Sequence, residues 1–279
     1  MEVPNSSFNT NSPLRESISS IVMKGYAILK IPVHAQTAMW KVLDNIDSVS
    51  PDLRRDFSFP EVTDGFLSVG GEYAKYTSSI DLCDRFCFWH KNREMHQGKE
   101  FANDEIYRAI KTCEMEMHAM AQQLISELWD FFNSPDPVNI RDSSYLQLCM
   151  YASQYHANDR GYLQDRHEDG HLITLIKPTR DGLVIFPGGP EDCEVPVFLR
   201  DDELLVITGS LLTAMSDGRI PPMYHAVKNP FVQMERKSVV YFAIPDLSQT
   251  YTTLLAKNPI NVGELADESH RAFGNTALI

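Results

Sequence analysis

The segment Gln164–Ile176, QDRHEDGHLITLI, sets a His, two acids and a second His ahead of an apolar run, and its conformation decides the fold. As H-E-x-x-H on a helix it is a zinc-hydrolase motif, with His167 and His171 one turn apart on one face and Glu168 as general base. As H-x-D on an extended chain, His167 and Asp169 share a side and supply two arms of a 2-His-1-carboxylate triad for non-haem Fe(II). The residues favour the second reading. Gly170 falls inside the motif, where glycine costs about 1 kcal/mol in a helix interior. His171 to Ile176 then reads as a strand rich in β-branched residues. A charged turn ahead of a core strand would look the same locally, so the iron reading needs a third ligand.

That ligand is sought downstream, in Leu205–Val227, LVITGSLLTAMSDGRIPPMYHAV. A buried strand, Leu204 to Thr208, meets a turn at Gly209. An apolar segment runs to Met215, Ser216-Asp217-Gly218 turns the chain, and His225 stands beside a strand-like run. Eleven residues beyond His225, Arg236 and Ser238 open a further strand, Arg236–Ile244, and share one of its faces by the period of two. A planar fork of donors beside a hydroxyl suits a carboxylate.

On these residues the chain resembles the Fe(II)- and 2-oxoglutarate-dependent oxygenases of the plant-type and isopenicillin-N-synthase-like superfamily. The family's H-x-D, distant His and R-x-S are matched by His167, Asp169, His225, Arg236 and Ser238. Gly209, Leu211, Leu212, Ser216, Asp217 and Gly218 resemble the family's approach to its second His, with Ser210 where Asp is usual. Leu146–Tyr151 resembles a strand ending N-x-Y, with Tyr151 in place and Cys149 where Asn is common. The likeness runs over residues 140–245 and, upstream, is one of layout only.

The resemblance implies Fe(II) held by His167, Asp169 and His225, with three positions left for cosubstrates. It implies 2-oxoglutarate chelating the metal, its distal carboxylate on Arg236 and Ser238 with a further hydrogen bond from Tyr151, and O2 as the remaining cosubstrate. The reaction implied is oxidation of an unactivated C–H bond of a small metabolite, with succinate and CO2 as coproducts. Hydroxylation is the first expectation, and desaturation or cyclisation would use the same residues. Asp169 is retained where halogenases of this kind carry a small residue, which disfavours chlorination. Other readings stay open: an oxidase whose Arg236 and Ser238 hold the substrate's own carboxylate without 2-oxoglutarate, an inactive binding protein of the same fold, and more distantly the zinc hydrolase.

The implied fold is mainly β with flanking helices: a double-stranded β-helix, or jelly roll, with an α-helical N-terminal half packed on it. The 279 residues suit one oxygenase domain, divided into a helical or mixed region 1–137, a core 138–245 and a tail with a helix over 246–279. Strands are expected at 145–151, 171–176, 183–186, 195–198, 204–208, 223–227 and 236–244, with Pro187-Gly188-Gly189-Pro190 as a hairpin turn. Upstream, the pattern predicts a loose first dozen residues, a helix over Leu14–Met23, a strand over Tyr26–Ile31 and a helix near Gln36–Ile46. The plainest helix is Asn103–Phe132, with Ile106, Ile110, Cys113, Met117, Met120, Leu124, Leu128 and Phe131 at spacings of three and four, and Asn103 placed to cap it. Gly263–Phe273 reads as a last helix, stopped at Gly274-Asn275.

A formal charge of −13 disfavours the nucleic-acid backbone as partner, because that affinity rests on Lys and Arg. No apolar run reaches membrane-spanning length and the N-terminus lacks a signal region, so a cytoplasmic enzyme acting on a small molecule, in a biosynthetic pathway, is expected. Five scattered Cys make no disulfide framework. Cys83, Cys87 and His90 could be taken for a metal site, but the interleaved Phe86, Phe88 and Trp89 mark a core segment. The aromatics between residues 50 and 100 (Phe57, Phe59, Phe66, Tyr73, Tyr76 and the three just named) either overhang a substrate pocket or pack the core, and residue by residue the core is favoured.

Overall fold

The computed structural model describes residues 13–72, 79–135, 137–157, 159–232 and 234–278. Along the chain run α1 (Pro13–Lys24), β1 (Tyr26–Lys30), α2 (Val33–Asn45), α3 (Pro51–Asp56), β2 (Ser58–Phe59), β3 (Asp64–Leu67), β4 (Asp84–Trp89) and α4 (Glu105–Phe131). The β-rich part follows with β5 (Tyr145–Tyr151), β6 (Tyr162–His167), β7 (Ile173–Pro178), β8 (Leu183–Phe186), β9 (Val195–Pro196) and β10 (Glu203–Thr208). Then come α5 (Ser210–Met215), β11 (Tyr224–Lys228), β12 (Arg236–Ala243), the short pair β13 (Tyr251–Thr252) and β14 (Pro259–Ile260), and α6 (Val262–Ala272).

Two antiparallel sheets carry the architecture. An eight-stranded sheet has the order β1-β10-β7-β12-β5-β4-β3-β2, and a four-stranded sheet the order β6-β11-β8-β9. This arrangement of antiparallel sheets with helices is consistent with the expected jelly roll. All seven residues of β5 are buried, and β7, β10 and β12 are nearly so. Full burial of each large apolar side chain contributes about 1.5–3 kcal/mol. Such strands therefore belong at the centre of the sheet, with the helices against one face: α4 packs on α2, β12 and β5.

The N-terminal half is mixed rather than helical. β1 pairs with β10, and β2, β3 and β4 extend the large sheet beyond β5, so four of its eight strands come from residues ahead of α4. Short pieces such as Ser58–Phe59 carry no readable period of their own, and pairing with neighbours makes them strands. The aromatics of this region pack the core: Phe57 lies 5.1 Å from Phe101 and 6.1 Å from Phe86, centroid to centroid, and Phe57, Phe86, Phe88 and Trp89 are fully buried. Tyr73 and Tyr76, and the loose tail expected for the first twelve residues, lie outside the described residues.

Other boundaries shift for local reasons. Asp104, not Asn103, caps α4, its carboxylate accepting from the Ile106 amide at 2.7 Å, because Asn103 closes a preceding 3-10 turn. The expected strand 171–176 is Ile173–Pro178, and 195–198 shortens to Val195–Pro196. β6 has no counterpart among the expected strands. Its sequence YLQDRH shows no hydrophobic alternation, and four of its six residues are half-buried. Among the described residues no helix is long and apolar enough to cross a membrane.

Candidate active site

The motif segment adopts the extended form. His167 ends β6, Asp169 lies in the turn that follows, and His225, the second residue of β11, is the register partner of His167 across the four-stranded sheet. Strand pairing therefore sets the two imidazoles side by side, with ring centroids 4.2 Å apart. Asp169 Oδ1 is 3.6 Å from His167 Nε2 and 3.9 Å from His225 Nε2. One ligand atom from each of the three lies within 4.8 Å of the others, and no other such group of His, Cys, Asp or Glu occurs among the described residues. Cys83 and Cys87 are free, buried core thiols.

The turn is braced from behind. Thr174 donates its hydroxyl to Asp169 Oδ2 at 2.5 Å, and the Ser210 amide donates to the Asp169 carbonyl at 2.8 Å. Gly209 is glycine for want of room: a Cβ there would meet the carbonyl oxygens of His171 at 2.2 Å and Asp169 at 2.5 Å. Gly170 has its own reason, because a Cβ would meet Ser269 Oγ of α6 at 1.8 Å. The tail helix thus lies against the metal turn, and Phe273 sits edge-on to His167 at 5.8 Å. His167 Nδ1 is 2.7 Å from the Asp165 carbonyl, so it carries the hydrogen and leaves Nε2 with a free lone pair.

The electrostatics suit a divalent cation. Burial pushes the Asp169 carboxyl up, but His225, His167, His171 and the Thr174 hydrogen bond outweigh it and hold the group below its ordinary value. Burial, with His167 adding to it, brings His225 down to about 4, so this imidazole is neutral, as a ligand must be. His171, also brought down to about 4 by burial, packs on Phe242 at 4.6 Å, and neither it nor Glu168 belongs to the ligand group.

Two compartments meet at His167 and Asp169. One lies between apolar side chains of Ile176, Leu183, Val227 and Val240 and ends at Arg236 and Ser238. Arg236 is 3% exposed and faces no carboxylate. Its Nη1 donates to Ser238 Oγ at 2.9 Å and its Nε to the Asp181 carbonyl at 3.3 Å, while the buried Nη2 has no partner. Burial is the largest influence on this guanidinium and acts against its charge. The Tyr151 ring lies 5.1 Å from the guanidinium, and its hydroxyl donates to Gln164 Oε1 at 3.1 Å. Cys149 also lines this compartment.

The second compartment is lined by residues the sequence did not flag, among them Asp81, Gln147, Gln164, Ser269 and His270. They come from segments far apart in the chain, and only Gln164 lies in the motif stretch. Gln164 links the compartments, because its Nε2 donates to Asp81 Oδ2 at 2.9 Å while its Oε1 accepts from Tyr151. Burial, then the neighbouring Glu72, pushes the Asp81 carboxyl up to about 7.

A sheet pair brings two His and one Asp together at its mouth, a group that could hold a metal ion, with a buried guanidinium further in. Residues 144–245 match the family model of the 2OG-Fe(II) oxygenase superfamily. Fe(II), 2-oxoglutarate and O2 are that family's cofactor and cosubstrates. Among solved structures, a Neurospora crassa protein crystallised in complex with alpha-KG and thymine is similar at 16% identity, covering 93% of this chain and 90% of that one with a TM-score of 0.73. A rice dioxygenase for auxin oxidation is similar at 13% identity, covering 95% and 91%, with a TM-score of 0.74. JOX2 in complex with 2OG, Fe and JA is similar at 12% identity, covering 96% and 82%, with a TM-score of 0.66. At such identities the likeness concerns the fold. No curated protein matches the chain.

Proposed function

We propose that the protein is an Fe(II)- and 2-oxoglutarate-dependent dioxygenase that oxidises a C–H bond of a small molecule, hydroxylation being the first expectation. The observation that carries this reading is the buried Arg236, whose Nη2 lies unpaired at the end of a narrow compartment opening on His167, Asp169 and His225. An isolated buried charge costs several kcal/mol, so the site is built for an anion that arrives with the cosubstrate. A dicarboxylate with one end on Arg236 and the other at the metal ligands meets both demands.

In this reading His167, Asp169 and His225 hold Fe(II), and the donor set fits: two imidazoles, that of His225 held neutral, and a carboxylate held ionised. When bound, iron and 2-oxoglutarate supply the activation of O2, with succinate and CO2 as coproducts. The chain's own contribution is placement. Arg236 and Ser238 fix the distal carboxylate, the walls formed by Ile176, Leu183, Val227 and Val240 exclude water, and Thr174 and the Ser210 amide keep Asp169 aimed at the metal position. α6 closes the substrate side through Ser269, His270 and Phe273.

The test is anaerobic addition of Fe(II) and then 2-oxoglutarate to the whole chain, reading the weak visible charge-transfer band of the chelate. The band is expected only with both present, and oxygen should then yield succinate. Iron binding without a band or succinate would shift the reading to an oxidase that needs no 2-oxoglutarate. Absence of iron binding would overturn the triad.

A further inference from the structure

The substrate-side compartment carries polar atoms that nothing among the described residues satisfies. Asp81 Oδ1, Ser269 Oγ and His270 Nε2 are buried without a hydrogen-bond partner, their residues are less than a tenth exposed, and all three line this space. Buried polar groups are paired in more than about nine cases in ten, so three unpaired ones around one cavity describe the complement of a ligand.

The chain also fixes which roles they play. Asp81 Oδ2 accepts from Gln164 Nε2 at 2.9 Å, so above about pH 7, where the carboxyl is ionised, the second oxygen, Oδ1, is a bare acceptor. His270 Nδ1 lies 2.6 Å from the Thr276 carbonyl and must donate to it, which leaves Nε2 as a lone pair. Burial, its largest influence, keeps this imidazole neutral. Ser269 can act either way. Among the described residues no Lys or Arg lines the compartment, and nearby Arg85 is closed off by Glu72 at 3.0 Å and Asn275 at 3.2 Å. A carboxylate would find two acceptors and no cation. Tyr145, Phe242 and Phe273 supply flat apolar walls.

Resting on the reading of the site given above, we propose that the substrate is a small ring-bearing nitrogen compound without a carboxylate, recognised through at least two N–H donors by Asp81 Oδ1 and His270 Nε2. The hydrogens to be oxidised would lie beside those nitrogens, facing His167 and Asp169 across the same cavity.

The experiment uses the full chain loaded anaerobically with Fe(II) and 2-oxoglutarate. Loading is verified by the charge-transfer band, so that failure of the metal reading is seen separately. Binding of three matched probes, benzamide, N,N-dimethylbenzamide and benzoate, is measured by calorimetry. Benzamide is expected to bind at least about tenfold tighter than the other two, the equivalent of about 1.4 kcal/mol. Asp81→Leu should abolish that preference while leaving the band unchanged. Asp81→Asn provides a second variant of nearly the same shape. Gln164 holds the Asn oxygen at the Oδ2 position, so its NH2 replaces the acceptor with a donor, and benzamide should lose its advantage there too. A loaded chain that binds benzoate as well as benzamide, keeps the benzamide preference in both variants, or binds none of the probes would overturn the proposal.

Discussion

Replacing Arg236 with Met tests the cosubstrate arm and separates a binding role from a structural one, because the two predict opposite signs. In the ligand-free chain the guanidinium is buried, holds Ser238 and the Asp181 carbonyl, and leaves Nη2 unsatisfied. Met fills similar space without charge. The Ser238 hydroxyl loses one partner, at about 1 kcal/mol, and the exposed Asp181 regains water. Against this stands relief of an unpaired buried charge, where apolar replacement is neutral to stabilising by about 1–4 kcal/mol. The ligand-free variant should therefore match wild type within about 1 kcal/mol or exceed it. With 2-oxoglutarate the sign reverses. Loss of one or two charge-assisted hydrogen bonds at about 1.5–3 kcal/mol each weakens binding by roughly 10–10⁴-fold. Urea unfolding without ligand and anaerobic titration of the Fe(II) protein with 2-oxoglutarate read the two quantities. A variant that loses more than about 2 kcal/mol of stability yet binds 2-oxoglutarate as wild type does would refute the argument and make Arg236 a structural residue.

Three further outcomes follow from the site. Asp169→Ala should weaken Fe(II) binding by more than roughly 100-fold, and Thr174→Val, which frees Asp169 Oδ2, by roughly 10–100-fold; Glu168→Ala should bind Fe(II) as wild type does, whereas a zinc hydrolase would show the reverse ranking of Asp169 and Glu168 in activity. Gly209→Ala forces a Cβ into the His171 and Asp169 carbonyls and should cost about 1–3 kcal/mol in urea unfolding together with loss of Fe(II) affinity. The metal-free chain should lose stability in mild acid. His171 titrates at about 4 when folded and near 6.5 when unfolded, so its contribution is present above 6.5 and disappears as pH falls toward 4. Between pH 7 and 5 this amounts to about 2 kcal/mol, measurable by denaturation at the two values.

The His–Asp–His group and the Arg–Ser pair were legible in the sequence because their pattern is local. H-x-D and R-x-S declare themselves within three residues, and Gly170 argued against a helix before any neighbour was known. The reason for that glycine was not legible: it admits Ser269, which lies almost a hundred residues downstream. β6 escaped notice because a strand of mostly polar, half-buried residues does not alternate in hydrophobicity. β2, β3 and β4 escaped because edge pieces of two to six residues gain their order from pairing. Asp81 and His270 carry no motif. What marks them is an unpaired atom at a cavity wall, a property of three-dimensional packing.

One division of labour in the fold has a dimensional meaning. His167 and His225 stand on the four-stranded sheet, whereas Arg236, Ser238 and Tyr151 stand on the eight-stranded one. A molecule gripped at both ends therefore spans the gap between the layers, and the spacing of facing sheets, about 10 Å, becomes a ruler for carbon-chain length. On the proposed reading, an oxo diacid one methylene shorter or longer than 2-oxoglutarate would fit that span less well, and the packing that sets the distance between the layers would bear on which acid the protein accepts.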